Sequence, residues 1–126
     1  MSGERDLGAL LRGLEPELRE GTWVYVADPG FPLDAAVTVV EPEGRGHVVA
    51  RAVADGHELP WDFEAAWITL RVHSALDAVG LTAAVATALT AEGIACNVVA
   101  GLRHDHLLVP VDRADDALAV LRALQP

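Results

Sequence analysis

The order of predicted elements in the second half of the chain restricts the fold more than any other feature. Alternating apolar residues indicate strands, and apolar stripes repeating every three and four residues indicate helices. The predicted elements are a strand at 67–73, a helix at 78–92, strands at 94–100 and 106–111, and a helix capped by Asp112. This β-α-β-β-α order predicts an α+β, ferredoxin-like βαββαβ unit that lacks its final strand.

The first half of the chain predicts a second small module that also lacks an element. Asp6 is placed to cap a short helix, which Pro16 ends. The predicted strands of this half are 22–27, 36–40 and 47–51, the last two joined as a hairpin. Pro60 opens the best candidate boundary, so we predict modules at 1–60 and 61–126. Because each module leaves a sheet edge unpaired, we expect the two to pack together, with a strand exchanged between them or supplied by a second chain.

Composition excludes several classes of partner. The 126 residues carry a net charge of −10, from 19 acidic and 9 basic residues, and this repels nucleic acid and anionic lipid. The chain has no long apolar run and no signal-like start, which predicts a cytoplasmic protein. The single cysteine, Cys96, excludes an internal disulfide and a multi-cysteine metal site.

The loop between the first strand and helix of the second half is the best candidate for a ligand site. Backbone amides near Gly80 and Leu81 would receive a carboxylate at the positive end of the helix, with Asp77 meeting an ammonium group. Ser74 and Val79 complete this loop. The structural alternative is equally weighted: Ser74 or Asp77 simply caps the helix, and Gly80 permits close packing.

Three polar residues on the later strands are further candidates. Asn97 lies in an apolar strand and is expected to be buried, where it would bind the ligand or hold the neighbouring loop. His104 and His106 share a face if both lie on one strand. They would brace the loop after Gly101, contact a ligand, or form two members of a metal site, which would need a third ligand. We favour the bracing role, and expect no metal and no cofactor.

Three segments of the second half read ITLRVHSALDAVGLTAAV at 68–85, GIACNVVAG at 93–101 and HDHLLVP at 104–110. In combination these segments resemble a group of small bacterial ACT-domain proteins. The resemblance implies two tandem ACT-like modules with the βαββαβ fold, which bind amino acids at interfaces between modules and regulate metabolism. It extends distantly to the modules of arginine sensors. The chain departs from the group's pattern at Leu102-Arg103, where an aromatic pair is usual, and at 45–47, which is more polar, so its ligand preference is expected to differ if either segment lines a pocket.

These observations predict a non-catalytic module that binds a small molecule, with an amino acid as the first choice, at an ACT–ACT interface. The alternatives are a structural or interaction module without a ligand and, less favoured, a metal-binding protein using His104 and His106. No catalytic constellation is present in the sequence. A homodimer and an unidentified effector protein are left open as partners. The predicted ligand-binding residues are Ser74, Asp77, Val79, Gly80, Leu81, Asn97, His104 and His106.

Overall fold

The computed structural model describes residues 2–126, which form two compact units. The first unit comprises the chain up to Arg19 together with Ala66–Pro126, and the second is Glu20–Ala65. These units differ from the two sequence halves because the first helix and strand belong with the C-terminal residues. The division of the sequence at residue 60 stays a prediction. Among the described residues, no helix has both the length and the apolar character needed to cross a bilayer.

Helices and strands alternate largely as the hydrophobic periodicity predicts. The strands are β1 (Pro16–Leu18), β2 (Trp23–Ala27), β3 (Val37–Glu41), β4 (Gly44–Ala50), β5 (Asp62–Leu70), β6 (Asn97–Ala100) and β7 (Asp105–Pro110). The helices are α1 (Leu7–Arg12), α2 (Arg51–Gly56), α3 (Leu81–Ala91) and α4 (Ala114–Leu124), with a 3-10 turn at Val111–Arg113. The α+β class and the hairpin of β3 and β4 are confirmed.

The sheet of the first unit contains β1, the end of β5, β7 and β6. β7 lies between β5 and β6, and β6 has no strand on its other side within the described chain. β1 pairs antiparallel with β5, with Glu17 opposite Thr69. The predicted C-terminal module lacked one strand, and in the structure β1, from the N-terminal residues of the same chain, supplies it.

One face of this sheet and three helices enclose the core of the first unit. Alternate residues Ala66, Ile68 and Leu70 of β5 point to this face because successive side chains of a strand point to opposite sides. Helices α1, α3 and α4 cover it with buried leucines, each of which contributes roughly 1.5–3 kcal/mol on burial. These leucines are Leu10, Leu81, Leu89, Leu118 and Leu121.

In the second unit, β2 and the first residues of β5 extend the β3–β4 hairpin to a sheet of order β3-β4-β2-β5. Val24 and Val26 of β2 and Val49 of β4 pack with Ala54 of α2 in a small core. The loop at 28–36, which leads from β2 to β3, packs Leu33 against the same core.

Several predicted element ends are wrong. The strand predicted at 67–73 is β5, Asp62–Leu70, and the strand predicted from residue 94 is β6, which begins at Asn97. Two further differences have identifiable reasons. Helix α3 begins at Leu81 instead of Ala78, because Gly80 has φ +107°, a left-handed conformation that no helix accepts. Asp112 does not cap α4, because it lies within the preceding 3-10 turn and the helix has no side-chain cap. By contrast, the carboxylate of Asp6 accepts a hydrogen bond from the amide of Ala9 at 2.9 Å, as predicted.

Candidate ligand-binding site

The N-terminal residues hold the backbone of the candidate loop in place. The amide of Glu4 donates to the carbonyl of His73 at 2.8 Å, and the amide of Ala75 donates to the carbonyl of Glu4 at 2.9 Å. Gly3 is required for this approach, since a Cβ there would lie 2.6 Å from the backbone nitrogen of Ala75. We call residues 3–5 the N-terminal strap. It fixes the start of the loop before the chain enters α3.

A pocket of about 150 Å³ opens between this loop and the start of α3. Its lining comprises Ser74, Ala75, Leu76, Ala78, Gly80, Leu81, Thr82, Ala100 and Asp105. Ser74 and Asp105 both line this pocket, and the Ser74 hydroxyl favours the charged form of the Asp105 carboxyl, which lowers its pKa. No side chain caps α3, so its first backbone amides remain directed towards the pocket end of the helix. The pocket thus combines a negative side chain with a helix end that favours negative ligand groups.

Burial controls the electrostatics of Asp105. It raises the pKa of this carboxyl above its ordinary value, and the neighbouring His106, Ser74 and His104 oppose that rise without cancelling it. Placing a carboxylate here costs free energy in the unliganded protein, because desolvation penalises the charged form. A cationic group in the pocket would compensate this cost.

Three of the predicted site residues line the pocket, and two of these also have structural roles. Ser74 presents its side chain to Asp105. Leu81 is 4% exposed and belongs to the core, so only its backbone can face a ligand. Gly80 packs against Leu7, whose side chain would lie 3.2 Å from an added Cβ. The close-packing alternative considered for Gly80 therefore describes a real contact.

Asp77 and Val79 lie outside the pocket lining. The carboxylate of Asp77 accepts a hydrogen bond from the Arg5 guanidinium at 3.0 Å, and both side chains are about half exposed. Val79 is 84% exposed. Asp77 therefore links the loop to the N-terminal strap, and its contact with a ligand stays a prediction.

His104 and His106 brace the strands around them. Nδ1 of His106 lies 2.9 Å from the hydroxyl of Thr69 and accepts from the indole nitrogen of Trp67 at 3.3 Å. His104 immediately precedes β7, and its Nδ1 lies 3.3 Å from the carbonyl oxygen of Val72. Across residues 2–126, no three His, Cys, Asp or Glu side chains are grouped as a metal site would need.

The expectation that Asn97 is buried is wrong. It is exposed at the first position of β6, where it pairs with Leu108 of β7. Its apolar neighbours suggested an interior strand, but β6 lies at the sheet edge. A ligand contact for Asn97 remains a prediction, and the structure gives its side chain no desolvation cost.

Sequence reasoning missed six of the pocket residues, which are Ala75, Leu76, Ala78, Thr82, Ala100 and Asp105. Asp105 does carry a signal, since it is a lone acidic residue between two histidines at the start of an apolar strand. Its importance depends on Ser74, which is distant in sequence, and no local pattern predicts that pairing.

Two family models match the chain. Both describe an ACT domain, and they match residues 2–66 and 62–123. No curated protein matches the chain in sequence.

Solved structures agree with these matches. A Vibrio cholerae protein of unknown function, described as a possible transport protein, is 38% identical, with a TM-score of 0.86 over 99% of this chain and 100% of that one. The regulatory subunit of aspartate kinase from Thermus thermophilus is 11% identical, with a TM-score of 0.63 over 90% and 99%. The Clostridium acetobutylicum aspartate kinase is 9% identical, with a TM-score of 0.66 over 83% of this chain and 32% of the enzyme. The last two comparisons show the fold alone, and it is the ferredoxin-like ACT fold.

Proposed function

Because this chain belongs to the ACT domain family and carries two such domains, we propose that it is a non-catalytic regulatory module that binds an amino acid in the pocket beside Asp105. ACT domains are often regulatory modules that bind small ligands. The observation that carries the proposal is the half-buried carboxylate of Asp105, the first residue of β7, which lines the same pocket as the first residues of α3.

The proposed ligand chemistry follows from two groups that line the pocket, the carboxylate of Asp105 and the backbone amides at the start of α3. The α-ammonium group of an amino acid would pair with Asp105, and its α-carboxylate would face the uncapped amides at the start of α3. At about 150 Å³ the pocket is smaller than the roughly 300–1,000 Å³ of sites for drug-sized molecules, which favours a small ligand.

We further propose that a second copy of the chain completes the site. Ala100 lies at the end of the edge strand β6 and lines the pocket. A second copy that paired along β6 would satisfy the unpaired backbone groups of this edge and cover the adjacent pocket. The exposed Leu76 and Val79 of the loop would then have an apolar partner.

A thermal-shift screen against the twenty amino acids tests the proposal. A ligand that binds the folded state must raise the melting temperature by mass action, so at least one amino acid should give a saturating rise. Asp105→Asn should lower the affinity for that amino acid by about tenfold or more, because it removes a charge-assisted contact. Asp112→Asn removes the same charge from an exposed position outside the pocket and should leave affinity unchanged.

Asp105→Asn should also raise the melting temperature of the unliganded protein at neutral pH. The pKa of Asp105 is raised on folding, so its contribution to stability is complete at low pH and is lost as the pH rises through the folded value. Removing the charge therefore stabilises the protein near pH 7 while it weakens binding. A variant that loses both stability and binding would indicate a purely structural role.

The second candidate function is a structural or interaction module without a ligand. The observation that favours it is the extent to which the loop is already held, by the N-terminal strap and by the packing of Gly80 on Leu7. A flat response to all twenty amino acids, with the fold intact, would support this candidate.

A further inference from the structure

A second cavity, in the unit formed by Glu20–Ala65, lies at the end of the β3–β4 hairpin. In the register of this sheet, Thr38 of β3 lies opposite His47 of β4, and His47 lies opposite Val26 of β2. Directly paired residues share a face, so all three side chains point to the side on which Val26 is buried. Arg45 is two residues before His47 and points to this same side.

A chain of hydrogen bonds fixes the polar part of this cavity. Nε2 of His47 lies 3.3 Å from the carboxylate of Asp28, which can only accept, so Nε2 donates this hydrogen bond. Nδ1 lies 2.8 Å from the hydroxyl of Thr38. His47 is only 10% exposed, and both ring nitrogens are engaged. The imidazole is therefore held in place by its two partners, Asp28 and Thr38.

The remaining wall of the cavity is apolar, apart from the positively charged side chain of Arg45. The cavity has a volume of about 480 Å³ and is lined by Phe31, Pro32 and Leu33 of the 28–36 loop. Phe31 is 43% exposed, and its ring lies tilted at 53° to that of His57, with 5.1 Å between the ring centroids. Arg45 also lines the cavity, and its guanidinium makes no ion pair with any residue in 2–126. An unpaired guanidinium that lines the same cavity as an exposed phenyl ring is a suitable receptor for an anion with an apolar body.

We propose that this cavity is a second ligand site, specific for a small organic carboxylate with an apolar body. The guanidinium of Arg45 binds the carboxylate in a bidentate manner, and Phe31 and Leu33 contact the apolar body. An amino group on the ligand is not required, because His47 already engages the carboxylate of Asp28. This site shares no residue with the pocket beside Asp105, so either site can fail without the other.

Arg45 and His47 fall in the hairpin segment at 45–47, and both line this cavity. The pocket beside Asp105 uses neither residue.

The test is an NMR titration of the full chain with 4-methylpentanoate, L-leucine and inorganic phosphate, observing the backbone amides of residues 28–47. We expect saturable shifts in this segment with 4-methylpentanoate. Arg45→Gln should weaken that binding by roughly tenfold to a hundredfold, as expected for one charge-assisted contact. Arg122→Gln, which removes the same charge from the exposed side of α4, is the matched control.

Four outcomes would overturn the proposal. These are no saturable shift with 4-methylpentanoate, equal affinity in Arg45→Gln, binding of L-leucine alone, and phosphate binding as tight as that of the organic acid. Phe31→Ala provides an independent variant that keeps Arg45. Phe31→Ala should lower the affinity for 4-methylpentanoate but leave unchanged the weak binding of acetate, which has the carboxylate without the apolar body. An equal loss of affinity for both acids would contradict the role of the apolar wall.

Discussion

At the scale of single residues, Gly80 shows how one position can satisfy two constraints at once. Its φ of +107° places it in a region that favours glycine, and Leu7 lies against its open side. Gly93 also has a positive φ, +67°, but an added Cβ there would meet nothing. Substituting alanine at Gly93 therefore tests the cost of the backbone conformation alone, whereas alanine at Gly80 adds the cost of contact with Leu7.

We expect Gly93→Ala to lower the free energy of unfolding by about 1–2 kcal/mol, the cost of a left-handed alanine. Gly80→Ala should cost about 1 kcal/mol more, because the methyl group would press on Leu7. Urea denaturation of both variants measures the difference. Equal losses would show that Leu7 moves aside freely and that Gly80 is selected for its backbone alone.

His106 is expected to make stability depend on pH. Burial lowers the pKa of this imidazole, with further lowering from His104 and Arg19 that outweighs the opposing charge of Asp105. The neutral ring's contribution to the free energy of unfolding is complete above the ordinary pKa of about 6.5. It is lost as the pH falls through the lower pKa of the folded state. The melting temperature should therefore fall on acidification below about pH 6.5.

His106→Gln should flatten this part of the pH profile, as recorded by calorimetry between pH 5 and 7. His57→Gln, at an exposed position, serves as the control and should leave the slope unchanged. A slope that persists in His106→Gln would assign the effect to another group.

The residues that sequence analysis placed well are those with local signals. Asp6 caps α1 because a short acceptor side chain before a helix acts within its own turn. Asp105 and Ser74 could not be paired in this way, because their contact depends on the packing of β7 beside the loop. Asn97 was misplaced because its neighbours are apolar, whereas its burial depends on the number of strands beside β6.

At the scale of elements, the N-terminal strap is the feature that periodicity could not reveal. It has no helix or strand pattern, yet its backbone pairs with His73 and Ala75 at the start of the candidate loop. The helices and strands themselves were predictable, because each buries one face and so carries a repeat. The source of the missing strand, β1, was left open because only three residues form it.

Gly3→Ala should release the strap, since its Cβ would lie 2.6 Å from the nitrogen of Ala75. Loss of about 1 kcal/mol of hydrogen-bond stabilisation predicts roughly fivefold faster hydrogen exchange at the Ala75 amide. Gly21→Ala has a comparable positive φ, +85°, with open space around it, and is the control. Unchanged protection of Ala75 would show that the strap does not hold the loop.

At the scale of the whole molecule, the proposed regulatory role depends on a second copy along β6. Val98 is 36% exposed on this edge strand. We expect Val98→Lys to shift the protein towards monomer in analytical ultracentrifugation, because a lysine on an edge strand opposes pairing with another chain. Val40→Lys, on the outer strand β3, should leave the assembly unchanged. Dissociation by Val40→Lys alone would move the interface to β3.

The central claim is that the pocket beside Asp105 binds an amino acid, and backbone amide chemical-shift mapping tests it most directly. With the amino acid that stabilises the protein, we predict saturable shifts at Gly80, Leu81, Thr82 and Asp105, and in Asp105→Asn these shifts should need about tenfold or more ligand to saturate. Shifts confined to other parts of the chain, or shifts that persist unchanged in Asp105→Asn, would contradict the claim.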